Sequence, residues 1–228
     1  MQDKIVLEAR DVSKTVTGPE GSLTILADVS LSVRAGESLA IVGASGAGKS
    51  TLLALLAGLD SPTTGRVFIA GVDLTELDED GRAQMRGRHV GFVFQSFHLI
   101  PSLTALENVM LPLELSNRPD ARAVAARALA DVGLTARAAH YPKQLSGGEQ
   151  QRVAIARAFV THPAVLFADE PTGNLDTATG QRVTDLLFEL NRSIGSTLIL
   201  VTHDRSLARR CGRVFELDAG HSKGSALE

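Results

Sequence analysis

The feature that most constrains this chain is the run Gly43, Ala44, Ser45, Gly46, Ala47, Gly48, Lys49, Ser50 and Thr51, which follows the short apolar stretch 39–42 and leads into the apolar, periodic stretch 52–59. Glycines let such a loop curl until successive N–H groups face one point, and a helix that begins there adds positive potential at that point. An anion answers that geometry. The spacing G-x-x-x-x-G-K-S is that of a phosphate cradle, in which Lys49 reaches the β- and γ-phosphates of a nucleoside triphosphate and Ser50 places its hydroxyl on Mg²⁺. The motif needs strand, loop, helix, and the sequence supplies them in that order.

The surrounding pattern predicts the fold class. Short β-branched runs at 5–9, 24–26, 29–33 and 39–42 alternate with turn residues, and Gly18, Pro19, Glu20, Gly21 reads as a hairpin tip. A strand over 67–69 and a polar helix over 79–88 precede a strand over 90–94. Helical patterns then take over at 104–113, 120–132 and 146–161. From 165 onward strands (165–168, 198–202, 214–217) alternate with helices (177–193, 204–211). Such alternation predicts a parallel sheet covered by helices on both faces. A helical segment of residues 96–162 interrupts it.

Composition removes several function classes. The 23 Lys and Arg against 26 Asp and Glu leave a net charge of −3, without a basic face for nucleic acid. The single cysteine, Cys211, permits no internal disulfide and no cysteine-built metal cluster, and reads as a small buried apolar residue. No stretch of 18 apolar residues occurs, and the charged start (Asp3, Lys4, Glu8) is unlike a signal peptide. A soluble, cytoplasmic protein is expected.

Two further constellations complete a site. Residues 165–168 form an apolar strand ending in Asp169 and Glu170, and a buried parallel strand delivers its C-terminal end to the ligand crevice. Neighbouring strand side chains point opposite ways, so Asp169 can hold Mg²⁺ while Glu170 serves another part of the site. The second is Leu145, Ser146, Gly147, Gly148, Glu149, Gln150. Ser146 can cap the following helix with Glu149 closing a capping box, and the glycines bare N–H groups at the helix's positive end. It is a second anion half-site.

That last run resembles the signature of ATP-binding-cassette (ABC) proteins, and the likeness extends over roughly residues 5–218. Within the family the chain is similar to lipoprotein-releasing and MacB-type exporter ATPases, through residues 94–101, 103–109 and 168–176. The resemblance implies an ABC ATPase fold: one domain over 1–228, with an N-terminal antiparallel β subdomain, a nucleotide-binding core of about 1–95 and 163–218, and a helical subdomain of about 96–162. It implies ATP hydrolysis with Mg²⁺ by a homodimer, each cradle's ATP being closed by the other chain's Ser146, Gly147, Gly148 and Glu149. Gln95 would sense Mg²⁺ and the attacking water, Asp176 would lie in a loop crossing the dimer seam, and His203 would contact the γ-phosphate. Catalysis would fall to Glu170, His203, Gln95 and Lys49, and the metal to Ser50, Gln95 and Asp169.

A separate transmembrane permease would supply the membrane contact, at the cytoplasmic face, and the apolar stretch 97–101 would meet it. Relatives commonly stack adenine on a Tyr two residues after a Lys; here Lys14 is followed by Thr15 and Val16. The alternative class is a non-transport cassette acting on ribosomes or DNA. Those usually carry two cassettes or long coiled-coil insertions. This chain shows one cassette and no heptad run, and it lacks the Asn-Lys-x-Asp mark of a GTPase.

Overall fold

The computed structural model describes residues 4–18 and 21–223. Two long antiparallel strands open the chain, β1 (Ile5–Gly18) and β2 (Gly21–Arg34). The expected short runs are therefore pieces of one ribbon. Its β-branched residues Val12, Thr15, Val16 and Thr17 keep the backbone extended past the polar positions. Where the register shifts, Asp11 and Asp28 adopt φ 49 and are tied across the ribbon to Ser30 and Ser13, so the ribbon bends without ending. Gly18 pairs with Gly21 at the expected hairpin end, while the tip residues Pro19 and Glu20 lie outside the described residues.

Strand β3 (Ser38–Val42) runs into helix α1 (Lys49–Leu56), which starts earlier than the apolar pattern suggests because Gly48 turns the chain directly into it. Strands β4 (Thr64–Ile69) and β5 (Val72–Asp73) finish an antiparallel sheet of order β2-β1-β4-β5. Helix α2 (Glu79–His89) leads to β6 (Val90–Phe94). Helices α3 (Ala105–Leu115), α4 (Ala121–Asp131) and α5 (Gly147–Phe159) follow. Then come β7 (Val165–Asp169), α6 (Thr177–Ile194), β8 (Thr197–Val201), the short α7 (Arg205–Ala208), β9 (Arg213–Asp218) and β10 (His221–Lys223). The second sheet has the order β10-β9-β3-β8-β7-β6 and is parallel except at its β10 edge.

The two-residue period of these strands sorts their side chains into two cores. Val93, Leu166, Ala168, Leu198 and Leu200 face one way and pack with α3 to α6. Leu39, Ile41, Val165, Phe167, Ile199 and Val201 face the other way and pack with α1 and the antiparallel sheet. Both faces are buried, so the strands read as continuous apolar runs. Cys211 is buried as expected, and burial pushes its thiol pKa up to about 12.

Candidate active site

Register alone gathers the catalytic candidates. Phe94 lies beside Asp169, Asp169 beside Val201, and Val201 beside Ile41. The residues that follow these strand ends, Gln95, Glu170, His203 and the loop from Gly43, therefore emerge at one edge of the parallel sheet. That edge is where open α/β sheets bind ligands.

The cradle is built tightly. A Cβ on Gly43 would lie 2.1 Å from the carbonyl oxygen of Leu217, so no other residue fits there without moving β9. Gly46 and Gly48 hold φ 78 and φ 94, conformations open mainly to glycine. Gly48 caps α1 without any side-chain bond, which leaves the first-turn N–H groups to an anion. Lys49 Nζ donates to the carbonyls of Gly43 (2.9 Å) and Ala44 (2.8 Å), lying back along the loop. Ser50 donates its hydroxyl to Asp169. Burial pushes the Asp169 carboxyl above the usual carboxylate range; the Ser50 bond opposes this, the Glu170 charge adds to it, and Lys49 again opposes it. A hydroxyl against one half-buried carboxylate is a hard-oxygen set that suits Mg²⁺ shared with phosphates. No cluster of three acidic, His or Cys ligands occurs among the described residues, so the set is not a metal cage of its own.

Glu170 is held in an unusual way. Its φ is 44, a left-handed backbone that costs a non-glycine residue about 1–3 kcal/mol and persists only when its surroundings dictate it. Those surroundings are present. Its N–H donates to Val201 O (3.0 Å), and its Oε1 meets the backbone N–H (2.9 Å) and Nδ1 (2.7 Å) of His203. His203 is otherwise exposed. Gln95 reaches Asn174, Nε2 donating to Oδ1 at 3.2 Å, and Asp176 caps α6 by accepting from the Thr179 N–H at 3.0 Å.

The stretch expected to form a second anion half-site, Ser146 to Glu149, opens α5. Ser146 Oγ accepts from the Glu149 N–H (3.3 Å) and donates to Glu149 Oε2 (2.8 Å), while the Ser146 N–H also donates to that oxygen (2.9 Å). The Ser146 backbone bond, then Arg137 (3.0 Å), then the Ser146 hydroxyl hold the Glu149 pKa down at about 2. A depressed carboxylate stabilises the fold fully above its ordinary 4.5, and that contribution fades as pH falls toward 2. Glu149→Gln will therefore flatten the acid side of the curve of Tm against pH between about pH 5 and pH 3. Thermal scans across that range will show the difference; parallel curves would refute it.

Three residues escape the sequence reading. Gln151 is fully buried on α5 and donates through Nε2 to Pro171 O (2.6 Å) and Phe94 O (3.3 Å), tying α5 to the exits of β6 and β7. Its signal is a polar residue in the core stripe 151, 154, 155, 158. Arg157 donates to the carbonyls of His98 (2.6 Å) and Phe97 (2.9 Å), both at positive φ, and burial lowers its pKa. Asn108, also fully buried, bonds the backbone of Ile100, Leu103 and Thr104. Together they clamp the loop after Gln95. In consequence Phe97 and Leu99 are only half exposed, with Leu99 against the core, and the expected contact surface of 97–101 narrows to His98, Ile100 and Pro101. Val16 is exposed opposite Leu23, an aliphatic pair where an aromatic was looked for, and Lys14 is bound to Asp60 (2.7 Å) and Ser61 O (2.8 Å).

Comparison with known proteins bears on this geometry. Residues 26–173 match the family described as ABC transporter. The chain is 54% identical to the ABC transporter ATP-binding protein YbbA of Escherichia coli (strain K12), across 97% of this chain and 98% of that one. It is 49% identical to the lipoprotein-releasing system ATP-binding protein LolD of Pseudomonas fluorescens, across 97% and 98%. Among solved structures it is similar to the dimeric ATP-binding cassette MJ0796 in a post-hydrolysis state bound to ADP and Pi, with TM-score 0.88, 42% identity, and 95% and 96% of the two chains covered. The alternative of a cassette for ribosomes or DNA gives way to these transporter relatives. With its cradle and acid pair on one sheet edge, the chain belongs to the ABC transporter family, as an ATP-binding subunit that hydrolyses ATP.

Proposed function

We propose that two copies of this chain close head to tail around two ATP molecules and drive a separate membrane permease for lipid-bearing or cell-envelope cargo. The chain would work at the cytoplasmic face, touch the membrane only through that permease, and bind no nucleic acid. The observation that carries the reading is that one chain bears two helix starts fit for phosphate, the uncapped start of α1 beside Lys49 and the Ser146–Gly147 start of α5. The dimeric cassette among the similar structures supports the pairing, and the lipoprotein-releasing relative supports the cargo class. The whole chain would form one domain, with its helical part over about 96–162 carrying the signature.

In this reading Gly43 to Thr51 hold the triphosphate, and Ser50, Asp169 and Gln95 hold Mg²⁺, which neutralises phosphate charge when bound. Phosphoryl transfer asks mostly for position and charge. Lys49 leaves the loop carbonyls for the γ-phosphate. Glu170 orients and deprotonates the water, while His203 holds Glu170 and reaches the γ-phosphate. The partner's signature closes the site, and Asp176 sits at the seam.

Mixing two dead variants tests the head-to-tail arrangement. Ser146→Arg spoils the signature and Lys49→Ala the cradle, so neither alone will hydrolyse ATP. In a mixed dimer one composite site keeps an intact cradle and an intact signature, and turnover returns. A mixture as inactive as its parts would refute the pairing.

A groove of about 740 Å³, lined by residues of α2, the end of α3, α5 and His98, adjoins the loop after Gln95. Leu115 lines it and is 77% exposed. Such an apolar surface fits a permease segment. Leu115→Glu will leave basal ATPase unchanged and abolish co-purification with the permease from detergent-solubilised membranes. Retained co-purification would move the interface elsewhere.

A further inference from the structure

We propose that Asn174 is a positioning residue that turns the Gln95 amide so that its oxygen, not its nitrogen, faces the metal. The inference rests on the reading that Gln95 serves Mg²⁺.

A glutamine amide has two ends of nearly equal shape, and only an oxygen can ligate a cation. Something must choose which end is offered. In this chain the choice follows from a backbone atom. The carbonyl oxygen of Gln95 accepts from Asn174 Nδ2 at 3.0 Å, and a carbonyl can only accept. That bond fixes the Asn174 amide, so its Oδ1 is the end left for Gln95. Oδ1 is an acceptor as well, and Gln95 answers it with Nε2 at 3.2 Å. The Gln95 Oε1 is thereby directed away from Asn174.

Gly173 makes the arrangement possible. A Cβ there would lie 2.7 Å from Gln95 Nε2, 3.1 Å from its Cδ and 3.3 Å from its Cγ. The glutamine side chain lies flat on that glycine. Gly173 and Asn174 belong to a turn that begins at Glu170, closed by Gly173 N–H to Glu170 O at 3.0 Å and Leu175 N–H to Thr172 O at 3.0 Å. The seat for Gln95 is thus built from the same turn that carries the acid. Residues that orient a metal's own ligands commonly change metal affinity or activity by about 10–100-fold when removed. Both Gln95 and Asn174 are exposed, so water competes for their bonds and the lower end of that range is expected.

The test uses Mn²⁺ as the probe, titrated by electron paramagnetic resonance into the full chain saturated with a non-hydrolysable ATP analogue. Asn174→Ala will weaken Mn²⁺ binding about tenfold, with affinity for the analogue in the absence of metal unchanged. Gly173→Ala will act in the same direction by lifting Gln95 off its seat. In a Gln95→Ala background, Asn174→Ala will cost nothing more. Gln95→Glu supplies the sharper control. A carboxylate offers an oxygen whichever way it turns, so in that background Asn174→Ala will carry no penalty. Wild-type Mn²⁺ affinity in Asn174→Ala, alongside a loss in Gln95→Ala, would overturn this inference and leave the role of Gln95 standing. Unchanged affinity in Gln95→Ala would overturn the Gln95 reading itself. A full penalty in the Gln95→Glu background would mean that Asn174 acts by holding the turn, which also overturns the proposal.

Discussion

Glu170→Gln will lower ATP turnover by about 10²–10⁴-fold, the range a general base supplies. The substitution keeps the side chain's size and its ability to accept from the His203 N–H, now at 2.9 Å, and it removes the basicity. ATP will bind as before, because the cradle and Ser50 are untouched. The variant will therefore collect as a nucleotide-loaded dimer, visible by light scattering on adding ATP and Mg²⁺. Turnover near that of the unmodified chain would remove Glu170 from the role of base. Loss of ATP binding would point to a collapsed strand end instead, since the φ of 44 at Glu170 depends on the bonds around it.

Phe167→Ala will be the most damaging of the ordinary core substitutions. Phe167 is fully buried at the centre of β7, two residues before Asp169, and stacks on Phe92 with ring centroids 5.4 Å apart. Truncating a buried phenylalanine costs about 3–5 kcal/mol through lost transfer energy and the cavity left behind. For a chain of this size that is a fall in Tm of about 6–20 °C. Calorimetry will read the shift. Because β7 ends in Asp169 and delivers Glu170 directly after it, ATPase per folded molecule will fall as well. A Tm within a degree or two of the parent would mean that Phe92 and Phe94 move in to fill the space.

The parts of the site that were legible in the sequence are those whose chemistry dictates spacing. The cradle needs glycines at fixed offsets because backbone curvature allows little else, and a Cβ on Gly43 would lie 2.1 Å from the Leu217 carbonyl oxygen. The Ser146–Glu149 capping box is legible because both partners lie within one helical turn. The apolar runs 165–168 and 198–202 announced a sheet buried on both faces. What was hidden depends on contacts between segments far apart in the chain. Gln151 bonds Phe94 and Pro171, and Arg157 bonds Phe97 and His98, pairings that no local pattern encodes. Leu99 was expected on a contact surface because the stretch 97–101 is apolar just after Gln95, yet Asn108 and Arg157 draw that loop onto the helices. The length of β1 and β2 was hidden for another reason. Asp11 and Asp28 look like turn residues, and cross-ribbon bonds to serines overrule them.

The position of β3 has a consequence for how the chain is born. This strand delivers the phosphate cradle, yet its two neighbours in the sheet are β8 and β9, which begin at Thr197 and Arg213. During synthesis from the N-terminus, residues 38–42 leave the ribosome with no sheet partner until most of the chain has followed. At about 5–20 residues per second, that wait lasts on the order of 10–30 seconds. For that time the unpaired apolar strand is an aggregation hazard, and ATP cannot serve as an early scaffold, because the site it would bind is among the last to close. The rate at which β8 and β9 emerge therefore sets how long the strand stays unpaired.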